Sequence, residues 1–272
     1  MATAVIPFWL TLLTKLASSA AIVVAASLAV ERAGPAIGAL VATLPVSAGP
    51  AYAFLALDHD TAFLARSTLA SLSVNVGTAP FILVYAVLAQ RRGLLVSFGA
   101  AIAVWLGIAA VLSATEIGYP VAITLNALSY GSAYLLSRPY RTAPMVARAP
   151  SRRGGLPARV ATVMTVVATV ILAGRWLGPA AAGIAAMAPV VMTSLVLVMH
   201  PRAGGRATAA VLTGTIPGMI GFTVGLATLH LAVVPLGAAS ALLLALAVCV
   251  GWNGALLALT LRSAQVAEPR ES

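Results

Sequence analysis

Nine apolar runs, most of about twenty residues, are separated in this chain by short loops that carry nearly all of its charge. Wound as an α-helix, a run of that length crosses the roughly 30 Å hydrocarbon core of a bilayer. Lipid offers the backbone no water, so a spanning segment is either a helix or a strand of a closed barrel. Barrel strands alternate apolar and polar residues with a period of two, and these runs do not. The fold class expected is therefore all-α, a polytopic membrane helical bundle. Composition agrees: 61% of residues are hydrophobic and 8% charged, where soluble domains are about 25% charged.

The runs cover residues 8–30, 35–57, 61–89, 93–114, 117–137, 158–174, 179–199, 207–229 and 236–261, which predicts about nine transmembrane helices. Residues 138–157 are rich in Arg, Pro, Gly and Ser and read as an exposed basic loop. With nine spans, thirteen of the sixteen Lys and Arg residues fall on the side opposite the N-terminus; only Lys15, Arg66 and Arg175 do not. Short loops rich in Lys and Arg stay cytoplasmic. The expected placement is multi-pass in the bacterial cytoplasmic (inner) membrane, N-terminus outside and C-terminus cytoplasmic. An even number of spans would scatter the arginines over both faces. Met1–Thr14 holds no charge, unlike the basic start of a secretory signal, and Lys15 interrupts the first run, so an uncleaved first span is expected. A formal net charge of +10 raises nucleic acid as a partner. The loops account for that charge, and the partner expected is the lipid bilayer. The single cysteine, Cys249, excludes an intramolecular disulfide and a cysteine-based metal site, so no metal or cofactor is expected.

One stretch occurs twice. Gly34-Pro35-Ala36-Ile37-Gly38-Ala39-Leu40-Val41-Ala42-Thr43-Leu44-Pro45 returns 144 residues later as Gly178-Pro179-Ala180-Ala181-Ala182-Gly183-Ile184-Ala185-Ala186-Met187-Ala188-Pro189. The same shift sets Lys15 over Arg159, Gly77 over Gly221 and Gly93 over Gly237. Five spans precede the second copy, so it enters the membrane from the opposite face, as in the inverted repeats of many secondary transporters. The division expected is a first four-helix repeat over 1–114, a connector helix over 115–137, the basic loop over 138–157, a second, inverted four-helix repeat over 158–262, and a tail over 263–272. That is an inverted repeat of 4+1+4 helices.

The motif Gly34-Pro35-x-x-Gly38-Ala39-Leu40-Val41-x-x-Leu44-Pro45 resembles the small-residue, Gly-Leu-Val and Pro-rich second span of the GlpM-like family of four-span bacterial inner-membrane proteins. The resemblance covers about the first ninety residues and, more faintly, the second copy. It implies a link to envelope polysaccharide production. This chain departs from the family by duplicating the unit and adding a connecting span.

Ionisable and polar groups inside a span are costly, and so are candidates for function. Lys15 lies about 10 Å into the first run at 1.5 Å per residue. There it either holds an anionic group, pairs with a carboxylate, or snorkels to the headgroups. Pro45 and Pro189 each deprive a carbonyl of its N–H partner, as do Pro50, Pro80 and Pro217, and each can unwind or kink its helix. Freed carbonyls attract cations, and the N-termini of half-helices attract anions. Asn75, and Thr215 near its repeat position, either glue helices or meet a polar solute; Asn126 and Asn253 are similar. Gly214-x-x-x-Gly218 and Gly221-x-x-x-Gly225 suit close helix packing. Asp58-His59-Asp60 is the one acid–histidine cluster, with Arg66 near enough to neutralise an acid; three consecutive residues do not readily converge on a metal. Trp9, Tyr52, Tyr119 and Trp176 are expected at the outer interface and Tyr85 and Tyr140 at the inner.

Phosphate-loop, zinc-protease and serine-hydrolase signatures are missing, so no enzyme is expected. The function expected is a secondary transporter or channel for a small solute or ion, anions included, bound by Lys15, Pro45, Asn75, Pro189 and Thr215. The alternative is a non-catalytic helper or scaffold subunit in envelope polysaccharide biosynthesis. A homodimer is compatible with either.

Overall fold

The computed structural model describes residues 10, 13–18, 21, 48–141 and 155–267. The first copy of the repeated motif, Pro45 included, lies outside the described residues, as does most of the basic loop. No strand occurs among the described residues. The helices are α1 (Ala48–Asp58), α2 (Thr61–Asn75), α3 (Thr78–Leu88), α4 (Leu94–Ser113), α5 (Tyr119–Leu136), α6 (Gly155–Leu177), α7 (Pro179–Ala186), α8 (Val190–Gly214), α9 (Ile216–Leu236) and α10 (Ala238–Ala267), with a 3-10 turn at Arg138–Tyr140. Among the described residues, four helical stretches are long and apolar enough to cross a membrane: Thr61–Leu88, Leu94–Ser113, Met199–Leu236 and Ala238–Thr260.

Proline and glycine set the interruptions. The run expected as one span over residues 61–89 is two helices, α2 and α3, with a turn at Val76–Gly77. Pro80 has no N–H for the carbonyl four residues back, that of Val76. The chain tightens instead, Val76 N–H reaching Ser73 O at 3.4 Å and Gly77 N–H reaching Val74 O at 3.0 Å. Residues 179–199 are likewise interrupted, between α7 and α8. Pro189 gives nothing to the carbonyl of Ala185, which takes the N–H of Ala188 at 3.3 Å. α8 itself bends at Gly204, whose φ of 81° and ψ of 165° are closed to other residues.

Two helix starts recur at the spacing of the repeated motif. Asp60 precedes α2 and Gly204 precedes the second limb of α8; Gly93 precedes α4 and Gly237 precedes α10. Each pair is 144 residues apart. All four residues have ψ between 164° and 173°, but φ is −75° at Asp60 and −71° at Gly93, ordinary extended backbone, against 81° at Gly204 and 78° at Gly237, a region that favours glycine.

At the centre α2 lies against α9, with α5 touching both. α7 packs on α2, α3 on α4 and α8, and α9 on α10. α1 also touches α10, and α4 touches α8. Close approach between α9 and α10 depends on Gly221 and Gly225, where a Cβ would overlap Trp252 and Cys249. Gly214, expected to act in the same way, faces open space. Leu95, Leu106, Val111, Leu231, Val234 and Leu243 are exposed, as an outer face meeting lipid tails requires.

The aromatic belt needs correction. Tyr52 and Tyr85 are fully buried rather than interfacial, because each hydroxyl has a partner inside the bundle. Trp176 is exposed as expected.

Gly237, with φ of 78° and ψ of 164°, has free space where a Cβ would sit. Gly237→Ala therefore tests backbone strain alone and is expected to cost about 1–3 kcal/mol. Gly99→Ala, also in open space but inside α4, is expected to be neutral or slightly stabilising. Thermal unfolding of both variants in detergent checks the contrast.

Candidate functional site

The break between α2 and α3 is lined by buried amides and hydroxyls. Asn75 Nδ2 donates to Asn126 Oδ1 at 3.0 Å and to Thr223 Oγ1 at 2.9 Å. Tyr130 Oη donates to Asn75 Oδ1 at 3.1 Å. Three helices, α2, α5 and α9, thus meet on one side chain. The break frees backbone carbonyls, and α5 satisfies them. Asn126 Nδ2 donates to Leu72 O at 2.7 Å, and Ser129 Oγ to Val76 O at 2.8 Å. The second of these is the carbonyl that Pro80 left without a partner. Sequence alone singles out Asn75 and Asn126, but Ser129, Tyr130 and Thr223 are recognisable only once α5 and α9 are placed.

A second polar group lies where α7 stops. Ser71 Oγ donates to Gly183 O at 2.7 Å and is 2.5 Å from Tyr52 Oη, which donates to Ser67 O at 3.1 Å. Gly183 has no room for a Cβ against the Ser67 carbonyl, so α2 and α7 touch backbone to backbone. Pro189 is buried at the start of α8. Thr215 stands between α8 and α9; its Oγ1 donates to Leu212 O at 2.7 Å and lies 3.9 Å from Met192 Sδ. Met192 comes three residues after Pro189, which brings Thr215 to that neighbourhood. Asn75 is elsewhere: its partner Thr223 is eight residues beyond Thr215, about 12 Å along α9.

Two buried polar atoms have no partner among the described residues, Ser67 Oγ and Trp105 Nε1. Such orphans are rare and call for an explanation. Each lies beside one of the breaks. Ser67 contacts Gly183 near the end of α7, and the Trp105 ring contacts Gly77 in the turn before α3.

Lys15 is buried, 7% exposed, and its Nζ lies 2.6 and 2.5 Å from the two oxygens of Asp58. Its ammonium also stands 6.0 Å from the Phe54 ring centre. Of the alternatives for this residue, the structure shows pairing with a carboxylate, and Lys15 rather than Arg66 meets that acid. The rest of the Asp58-His59-Asp60 cluster is local structure. Asp60 Oδ1 accepts from Phe63 N at 2.7 Å and caps α2, and His59 stacks on Phe63 at 3.8 Å. No group of His, Cys, Asp and Glu side chains capable of holding a metal occurs among the described residues.

Two histidines bond to the interrupted α2–α3 pair from outside it. His200 Nδ1, on α8, is 2.7 Å from Tyr85 Oη. His230 Nδ1, on α9, is 2.9 Å from the Ala65 carbonyl, and its ring stacks on Tyr119 at 5.2 Å. Neither was among the site residues expected; each stands one residue beyond the end of an apolar run. The chain matches no family model, no curated protein and no solved structure.

Asn75→Ala leaves Asn126 Oδ1 without its donor and takes one bond each from Tyr130 and Thr223, which keep the carbonyls of residue 75 and Met219, and is expected to cost about 1–3 kcal/mol in thermal unfolding. For the ion pair, Lys15→Met and Asp58→Asn each strand one charge or its desolvated partner. The double variant is expected to be more stable than the sum of the two single losses, which a double-mutant cycle measures.

Proposed function

We propose that this chain is a secondary transporter or channel of the bacterial inner membrane for a small solute or ion. Its nine spans form two inverted four-helix halves joined by a connector, and its site lies at the interrupted helices. The observation that carries this reading is the central pair. The α2–α3 stretch and α9 pack on one another, each follows or contains a proline-associated break, and a buried amide–hydroxyl network sits at one break. Discontinuous helices facing one another across a repeat axis are where such transporters bind their cargo. The equal spacing of the helix starts after Asp60 and Gly204, and after Gly93 and Gly237, supports the two-half construction.

In this reading Asn75, with Asn126, Tyr130 and Thr223, forms the central polar layer. Pro189 and Thr215 mark a second break, about 12 Å from it along α9, and Pro45 is the counterpart of Pro189 in the first half. Trp105 Nε1 and Ser67 Oγ are donors held without partners beside the breaks, available to a solute when the helices part. Lys15 anchors α1 through Asp58 at one edge of the bundle. The arginine-rich end is cytoplasmic by the charge rule.

Flux into proteoliposomes, over a panel of inorganic ions, amines and carboxylates, tests the proposal. Uptake of at least one solute is expected, slowed by Asn75→Ala and by Thr215→Val. A protein that moves none of the panel, and that instead purifies with one stoichiometric partner, would favour the scaffold reading.

A further inference from the structure

The hydrogen bonds at the break between α2 and α3 do not balance. Every carbonyl of residues 72–77 has a donor. Asn126 Nδ2 donates to Leu72 O, Ser129 Oγ to Val76 O, and Tyr130 Oη lies 3.4 Å from the carbonyl of Asn75. The N–H groups of Val76, Gly77 and Phe81 donate to the carbonyls of Ser73, Val74 and Gly77. The negative end of the α2 dipole is thereby neutralised, largely from α5.

The amides and hydroxyls of the layer have spent their own hydrogens too. Asn75 Nδ2 donates one to Asn126 and one to Thr223, and Asn126 Nδ2 donates to the carbonyls of Leu72 and Ala122. The Thr223 hydroxyl donates to Met219 O. This layer holds the break together and has no donor to spare for a ligand.

The side facing α4 is the opposite case. α3 starts at Thr78, after Gly77, and no side chain caps that start. Pro80 brings no N–H, so the amides at this end of α3 are those of Thr78 and Ala79. α4 packs along α3 and touches α2, and from it Trp105 turns the N–H edge of its indole toward the turn. Cδ1 of that ring, the atom bonded to Nε1, stands 3.2 Å from where a Cβ on Gly77 would lie. Trp105 is 5% exposed, and its N–H has no partner among the described residues. An indole nitrogen only donates. The break is therefore left with a surplus of donors: an uncapped helix start, worth about half a positive charge, and a buried N–H beside it. Gly77 also lies well inside the spanning stretch Thr61–Leu88, where a low dielectric strengthens the attraction of either group for negative charge.

Resting on the transport reading above for what becomes of the ligand, we propose that the start of α3 and the indole N–H of Trp105 bind a small inorganic anion of halide size, and that the transported solute is such an anion. A helix start joined by a side-chain donor holds an anion without any cationic residue. A cation would instead have to displace donors from carbonyls that already have them. The space is narrow. A methyl group on Gly77 would press on Trp105 and stand 3.4 Å from Ile108 Cγ2, so a monatomic ion enters more readily than a carboxylate.

Indole NMR signals of the full-length protein in nanodiscs, with isotope-labelled tryptophan, test this. Trp9, Trp105, Trp176 and Trp252 give four signals. That of Trp105 is identified by its loss in Trp105→Phe or, if that variant does not fold, by elimination with Phe variants of the other three. Chloride, exchanged for gluconate at constant ionic strength, is expected to move the Trp105 signal saturably and to leave the others in place. Chloride is also expected to raise the thermal midpoint of the unaltered protein. That rise is expected to be lost in Trp105→Phe, which keeps a ring but not the N–H, and in Gly77→Ala, whose methyl fills the gap. A Trp105 signal indifferent to chloride, or moved equally by neutral acetamide, overturns the proposal. The flux assay separates the two readings. A saturable shift without uptake of any solute leaves the anion site standing and counts against transport. Uptake of an amine or a metal cation, with no shift at Trp105, overturns the anion site and leaves transport standing.

Discussion

Inside a bilayer, a backbone carbonyl deprived of its N–H partner has no water to turn to, and much of this fold follows from that constraint. Pro80 strips the carbonyl of Val76, and the chain answers with Ser129 from another helix. The same demand places Asn126 on Leu72 and Ser71 on Gly183. Polar residues in these helices are therefore positioned by what the prolines leave undone. Without α5 the break between α2 and α3 would present bare carbonyls to hydrocarbon, each costing several kcal/mol.

This coupling also bears on where the interruptions fall. α4 and α10 present one face to lipid and satisfy their own backbones, so nothing interrupts them. α2, α3 and α7 are enclosed by neighbours that can supply hydrogen bonds, and the breaks at Val76–Gly77 and before Pro189 are tolerated there. Close contact is then needed to bring those donors within reach. Gly183 against Ser67, and Gly221 and Gly225 against α10, provide it.

Local features were legible in the sequence. The apolar runs located α4, α5 and α10 to within a few residues, apart from the far end of α10, and Pro189 and Pro80 marked two of the interruptions. Asn75 and Asn126 stood out as amides in apolar surroundings. What could not be read was partnership. Ser129 looks like any serine until the Val76 carbonyl faces it, and Tyr130 and Thr223 gain meaning only from three helices meeting. Tyr52 and Tyr85 follow the pattern of interfacial aromatics along the chain, yet their hydroxyls are claimed by residues distant in sequence. An acid of Asp58-His59-Asp60 was expected to meet Arg66, whereas the cation that meets Asp58 comes from 43 residues away.

The contacts of α1 with α10 and α4 with α8 carry a consequence for biogenesis. Helices made early find part of their seats on helices made late. A nascent chain that has inserted α2, α3 and α4 still exposes the surfaces that α7, α8 and α9 will cover. The early and the late helices are thus interlocked rather than docked side by side. The seat of α1 is complete only once α10 has been made.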